Sequence, residues 1–590
     1  MFEELFRSFL PLRNPIGFGA SDFIELTLAV VLAGLALISR PWLEPHARKL
    51  AQKTGWCMLL LAAMPVALRL MLLPHHPAPS PDLYDEFGHL LVADTLRHFR
   101  FANPPHAFHR FFETFFVLQQ PTYSSIYPIG QGLGMALGRA IFGLAWAGVL
   151  LGVGAFCSLC YWMLRAWTTP LWALAGGVLA VFEFGPLNQW TNSYWGGHFA
   201  ATAGCLVFGA LPRLRANGRT RDAFLLGLGL GMHLLTRQYE SIFLFASVAL
   251  YFAPALRRPE VLRGVARPAL VASALVILAG GVTLLQNRRV TGSWTVLPEM
   301  LSQDQYGVPA SLTFQADPVP HRELTPQQEL EYKAQLTFRS GEETLQSYFT
   351  RLAYRVRYYR FFFLAPLYVA LPFFFGALRE FRYLWVVVTL LLFALGVNFF
   401  PAFQFHYVAA VTCLFMLASV TGLRRLSRVS ADAARVTVFL CAAHFCFWYG
   451  LHFFDDAEVS MSMRRYETWD AINHKNPERR IEVNRQLAQA SGKQLVFVRY
   501  WQQHVFQDEW VYNEADIDRA RTVWARDLGA AENEQLRRYY PDRTAWLLEP
   551  DARPPKLSPY KAEPEKTPEK PQAPAPTKTE APTLRFEQVH

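Results

Sequence analysis

Apolar runs of about 18 residues or more recur along this 590-residue chain, and nothing else constrains its fold as strongly. A run of that length matches the hydrocarbon core of a bilayer, which about 20 helical residues cross. The runs fall at roughly 22–39, 56–73, 128–165, 168–184, 195–211, 222–236, 239–255, 268–286, 358–376, 383–399, 403–421 and 435–454. Composition agrees, with 52% hydrophobic residues and 18% charged, against about 25% charged in soluble domains. The chain reads as a polytopic α-helical membrane protein.

The loops give its orientation. Arg40, Arg48, Lys49 and Lys53 follow the first run; Arg213, Arg215, Arg219 and Arg221, then Arg257, Arg258, Arg263 and Arg267, form two more clusters. Arg379 with Arg382, and Arg424, Arg425 and Arg428, complete the set. The positive-inside rule places all of these in the cytoplasm, so the net charge of +10 is not a nucleic-acid signal. Residues 128–165 are too long for one crossing and short for two, and charge alternation demands one. An interfacial or half-inserted helix over Pro128–Phe142 followed by a span near 145–165 satisfies both. About twelve spans result, with both termini outside.

The domains read as follows. Residues 1–55 hold an extra N-terminal span, retained rather than cleaved, and a cytoplasmic loop. Residues 56–454 form the membrane domain, with outer loops at 74–127 and 287–356. Residues 455–549 alternate strand-like runs (Lys493–Arg499, Ala520–Ala525, Thr544–Leu548) with helical spacing (Glu478–Ala490, Ala531–Tyr539), as a small α/β unit with a short parallel sheet would. From 550 to 590 the Pro, Lys, Glu, Thr and Ala composition predicts a disordered tail. All seven cysteines fall in apolar segments, so no structural disulfide is expected in the polar loops. The Cys157-x-x-Cys160 spacing reads as small packing residues.

Polar chemistry gathers in the outer loops. Asp82, Asp85 and Glu86 lie just past the second apolar run. Pro81-Asp82 suits a helix start; Asp85 sits further in, with His89 four residues on along the same face. A carboxylate where lipid meets water is partly desolvated and can act as a general base. Leu83–Arg100 and His106–Gln119 have the spacing of amphipathic helices in the interface, or of helices packed on the bundle. Glu113, Gln119, Gln120 and Tyr123 could line a polar cavity. Asn188–His198 mixes amides and aromatics, including Asn192, Tyr194, Trp195 and His198; it suits a sugar-binding wall or an aromatic interface belt. Loop 287–356, with Gln305, is long enough for a lid or is a connection. There is no cluster with metal-ligand spacing and no nucleotide-binding glycine motif.

Three further groups of residues carry a resemblance. Asp85-Glu86 after an early span is followed by Ile126-Tyr127-Pro128-Ile129-Gly130. Leu235-Thr236-Arg237-Gln238-Tyr239-Glu240 is similar to a Thr-Arg-Pro-x-Glu turn, with Gln238 in place of Pro. Phe405-His406-Tyr407 opens a late helix. In this order, over residues 56–455, they resemble the GT-C superfamily of membrane glycosyltransferases, and within it the bacterial protein O-mannosyltransferase-like and aminoarabinose transferase-like enzymes. The resemblance implies a polyprenyl-phosphate-linked sugar donor, an outer-face lipid, glycan or protein acceptor, and an inverting transfer. It implies Asp85 as catalytic base beside Glu86, with Arg237 and His406 on the donor phosphate. His89, Glu113, Gln120, Tyr127, Asn192, Tyr194, Trp195, His198, Glu240 and Gln305 would line the substrate site. Some branches use a divalent cation and others do not. Arg237 can also be read as an interfacial arginine paired with Glu240, and His406 as a satisfied interfacial histidine. The implied location is a bacterial cytoplasmic membrane, with site and C-terminal unit periplasmic. A transporter or flippase of lipid-linked glycans would share the helices and polar cavity but should show repeated halves and mid-membrane charges. A non-catalytic envelope scaffold is the other alternative.

Overall fold

The computed structural model describes residues 20–81, 83–257, 259–307, 310–324, 328–330, 332–333, 342–454, 478–502, 504–505 and 508–561. Among these, six helices are long and apolar enough to cross a membrane: Thr54–Met71, Ala145–Leu164, Gln238–Arg257, Arg263–Thr291, Phe405–Val429 and Ala431–Phe454. A seventh arises if Phe23–Ile38 and Arg40–Gln52, bent by 79° at Ser39, count as one. Arg40–Gln52, expected as a loop, is thus a helix, with Pro41 tolerated in its first turn. Pro170–Phe184 and Phe381–Val397 are shorter apolar helices. The 128–165 run divides as expected, into Ile129–Phe142 and Ala145–Leu164, with Gly143 at φ +75° closing the first helix.

Burial separates the centre from the rim. Phe405–Val429 has 89% of its apolar window inside the protein and Ala145–Leu164 67%, but Arg263–Thr291 only 17%. Leu270, Ile277 and Leu278, a helical repeat apart, are exposed on that last helix, as a lipid-facing stripe requires. The 358–376 run differs from its expected span. It breaks into Val356–Phe362, Ala365–Val369 and Leu371–Phe375, the first two 3-10 turns. Pro366 and Pro372 each remove a backbone donor and force a restart. Phe361 and Phe362 stay buried within it: Phe361 stacks on Phe405 at 4.0 Å and Phe362 on Phe415 at 4.7 Å.

At one end of the bundle the first polar loop and the α/β unit make a single body. Leu83–Arg100 contains the expected helix, Tyr84–Arg97. His106–Gln119 does not form the second: it gives one 3-10 turn, His109–Phe112, and the strand β1 (Val117–Leu118), paired antiparallel with β2 (Ser124–Ser125). Pro104, Pro105 and Pro121 bracket that stretch and stop a helix from extending past either end. In the C-terminal unit β3 (Lys493–Val498) lies parallel to both β4 (Thr522–Arg526) and β5 (Arg543–Glu549). The fourth strand, β6 (Lys556–Pro559), runs antiparallel to β5, so the unit reaches into the stretch read as disordered tail. Residues 562–590 lie outside the described residues.

Leu91, Phe111, Phe112 and Tyr123 of the loop share one core with Leu495, Phe497 and Val523 of the sheet. Phe87 stacks on Tyr512 at 4.7 Å, and the Arg480 guanidinium lies 4.6 Å from the Phe87 ring. Asp94 closes the joint: its buried carboxylate accepts from the Ala515 amide at 2.8 Å and pairs with Arg97 and Arg139 at 3.0 and 3.1 Å. Asp94→Ala leaves that amide and Arg139 short of an acceptor at the seam. It is expected to cost about 3 kcal/mol and to speed amide exchange across 508–526 in the full-length protein; unchanged exchange there would show that Asp94 is not what holds the two parts together.

Candidate active site

The Tyr84–Arg97 helix begins where acids are favoured by the helix dipole, and Asp85 and Glu86 occupy its first turn. Their environments differ. Glu86 spends both oxygens on backbone: one accepts from Leu83 N at 3.3 Å, capping the helix, and the other from Tyr194 N at 2.9 Å. The helix-capping residue is therefore Leu83 with Glu86; Asp82 lies outside the described residues. Asp85 instead accepts a hydrogen bond from the Tyr127 hydroxyl, with the Trp195 side chain in reach of the same carboxylate. Burial raises the Asp85 pKa to about 6, against the opposing pulls of Tyr127 and the Arg237 charge. His89, one turn on, stacks on Tyr127 at 4.1 Å. Burial pushes it down to about 3, and Arg237 acts in the same direction, so the ring is neutral at pH 7.

Two glycines allow this approach. A Cβ on Gly88 would sit 2.7 Å from the Tyr127 ring, and one on Gly130 would overlap Thr236 Oγ1. With neither present, Tyr127 lies flat on the acid-bearing helix. Gly130 N also donates to Leu235 O at 2.8 Å, which docks the turn carrying Arg237. Arg237 Nε lies 3.5 Å from Glu240 Oε1, and the guanidinium covers the Tyr407 ring at 4.7 Å. Its Nη2 is buried without a hydrogen-bond partner, as are His89 Nδ1 and both polar atoms of Gln131. Gln131 lies beside Gly196. His406 sits 5.3 Å from the Trp195 ring and 4.8 Å from Tyr407.

Asp85, His89, Tyr127, Trp195, Arg237, Glu240 and His406, drawn from five separate stretches of chain, thus meet in one place. The other expected residues do different work. Tyr194 donates its hydroxyl to Pro79 O, and Asn192 accepts from Arg69 while donating to Pro186 O and Asn188 O. Both shape the loop behind Trp195. His198 packs against Gly152 on a helix in the bundle. Glu113 is held by Arg322 at 2.6 Å and Gln328 at 2.9 Å. Gln120 meets His109, and Gln305 donates to Gln120 O. These form the joint between loops rather than the Asp85 cluster. Tyr407, Gln131 and Phe116 were not anticipated there. Tyr407 belongs to the Phe405-His406-Tyr407 motif and Gln131 adjoins the Ile126–Gly130 one; Phe116 carries no signal in the sequence. It takes φ +60° and sets its ring edge-on to Tyr84 at 4.8 Å, a strained backbone beside a candidate site.

No group of three or more His, Cys, Asp or Glu side chains suited to a metal occurs among the described residues. What the cluster supplies is a proton acceptor poised near neutrality, an arginine with an open N–H, and unpaired polar atoms facing them.

Fold and site together define a multi-pass helical membrane protein with a buried acid–arginine cluster beneath an α/β unit. No family model matches the sequence, and no curated protein does. Among solved structures it is similar to ArnT from Cupriavidus metallidurans in the apo state: 11% identity over 84% of this chain and 93% of that one, TM-score 0.48. ArnT bound to undecaprenyl phosphate aligns over the same shares at 11% identity with TM-score 0.41. The archaeal oligosaccharyltransferase AglB from Archaeoglobus fulgidus, in complex with an inhibitory peptide and a dolichol-phosphate, aligns over 84% of this chain and 69% of that one, at 11% identity and TM-score 0.35.

Proposed function

We propose that the protein is a GT-C-type glycosyltransferase that moves a sugar from a polyprenyl phosphate to a lipid, glycan or protein acceptor on the outer face of a bacterial cytoplasmic membrane. The observation that carries this reading is the meeting of Asp85, with its raised pKa, and Arg237, with its unpaired Nη2. A transfer from a phosphate-linked donor needs those two functions together. The acceptor hydroxyl or amine attacks the anomeric carbon while Asp85 takes its proton. The bond from that carbon to the phosphate oxygen breaks, and its electron pair stays on the phosphate. The leaving polyprenyl phosphate gains negative charge, which the Arg237 N–H groups meet. Attack opposite the leaving group inverts the anomeric centre. His89 is neutral and, with Gln131, offers polar atoms to sugar hydroxyls; Trp195 offers an aromatic face. His406, beside Trp195 and Tyr407, is the second candidate to hold the leaving phosphate.

The test uses the full-length protein reconstituted with sugar-labelled polyprenyl phosphate and an envelope extract. Label should pass to an extract component as free polyprenyl phosphate appears. Label that stays on the donor in the presence of folded protein, across lipid, glycan and protein fractions alike, would sink the reading.

A further inference from the structure

Away from Asp85, a cleft of about 520 Å³ opens between the end of the Tyr84–Arg97 helix and the end of the long rim helix Pro259–Thr291. Phe99, Arg100, Asn103 and Thr122 line one wall, Leu285 and Arg289 the other. Thr122 Oγ1 donates to Val290 O at 2.9 Å, tying the walls together. Three features of this cleft are otherwise unexplained.

Arg100 and Arg289 both face it, and neither side chain has a hydrogen bond or ion pair to a described residue; most of the other arginines near this end of the protein do, among them Arg97 and Arg139. Two guanidinium groups on opposite walls repel each other unless an anion lies between them. Phe99 is 99% exposed and held at φ +55°, a left-handed conformation that a bulky residue rarely adopts. In water, that geometry offers an aromatic ring nothing. At a membrane surface it places the ring at headgroup depth, where aromatic residues are favoured. Finally, half-buried Leu285 lies at the end of the exposed apolar stripe of Leu270, Ile277, Leu278 and Leu284 on the rim helix, one turn before Arg289. An acyl chain lying on that stripe would bring its phosphate to the two arginines.

We infer that this cleft is a seat for an anionic membrane phospholipid, with Arg100 and Arg289 on the phosphate, Phe99 at headgroup depth, and the acyl chains along the Leu270–Leu285 stripe. It is separate from the proposed donor site and stands whether or not the protein transfers sugar. Its occupant would brace the first polar loop against the rim helix. The tie lies close to the Asp85 cluster in sequence: Gln286, next to Leu285, donates to the Tyr127 carbonyl at 2.9 Å.

The experiment is native mass spectrometry of the detergent-solubilised full-length protein titrated with phosphatidylglycerol or phosphatidylcholine. Phosphatidylglycerol should bind tighter, and Arg100→Ala/Arg289→Ala should weaken it by about tenfold or more, as loss of charge-assisted bonds to a phosphate does. Arg288→Ala is the control. Arg288 donates to Gly292 O and does not line the cleft, so its loss should leave binding within about twofold. Equal weakening by Arg288→Ala would reduce the effect to general surface charge and overturn the seat. So would unchanged binding in the double variant. Displacement of the lipid by excess inorganic phosphate, with phosphate retained in its place, would make it a free-phosphate site and overturn the lipid assignment. Arg100→Lys/Arg289→Lys keeps the charge in a protein whose fold is undisturbed; it should keep part of the preference, and complete loss would also count against the seat.

Discussion

Asp85→Asn should slow sugar transfer by about 10²–10⁴-fold while the protein stays folded. The amide keeps an oxygen for the Tyr127 hydroxyl but cannot take a proton. The pH behaviour is a second readout. With its pKa at about 6, Asp85 is ionised above that value and protonated below it, so wild-type transfer should fall about tenfold per pH unit below pH 6 and level off above. The stability effect has the opposite sign. The folded state holds the Asp85 proton more tightly than the unfolded chain does, so this group's contribution is fully present below about pH 4 and is lost as pH rises through about 6. At pH 7.5 the wild type carries that penalty and the Asn variant does not. Asp85→Asn should therefore unfold no earlier than wild type, with a gain of up to about 3 kcal/mol. A variant that loses both transfer and thermal stability would mark Asp85 as a structural acid instead.

What the sequence could announce, and what it could not, follows from the kind of information each feature carries. Apolar runs are summed over about 18 residues, so most helices lie where hydropathy put them. The 358–376 run shows the weakness of the sum, because Pro366 and Pro372 count little toward hydropathy yet break the helix. Asp85, Arg237 and His406 were legible because each opens a helix on the same predicted side of the membrane. Glu86 was not separable from Asp85 on the page: two adjacent acids differ only in whether backbone amides claim their oxygens, and the amide of Tyr194 that claims one lies 108 residues away. Glu113 reads as a substrate residue for the same reason; its partner Arg322 lies 209 residues on. The shared core of loop and sheet, Leu91 and Phe112 against Leu495 and Val523, joins stretches about four hundred residues apart, and no local pattern records it. β6 was hidden by composition. Its four residues sit in proline-rich sequence, and an edge strand capped by Pro559 needs donors on one side only.

Arg237 tests the other half of the proposed chemistry, and its variants separate charge from geometry. Arg237→Lys keeps the positive charge but loses the planar fork that matches a phosphate. Transfer should fall by about 10²–10³-fold, chiefly through weaker use of the donor, while the pH profile keeps its limb near 6, because the charge that holds Asp85 down is still present. Arg237→Ala alone is a poor probe, since it strands the buried Glu240 carboxylate 3.5 Å from where Nε was and risks about 3–5 kcal/mol of stability. Arg237→Met with Glu240→Gln removes both charges and avoids that cost. In this pair transfer should fall at least as far as in the Lys variant. The limb should also move to higher pH, since Asp85 has lost the cation that opposed its burial. A merely structural arginine would move neither the donor dependence in the Lys variant nor the limb in the double variant. A limb that stays near 6 after both charges are gone would show that Arg237 does not act on Asp85, and the two would have to be treated as separate sites rather than two ends of one transfer.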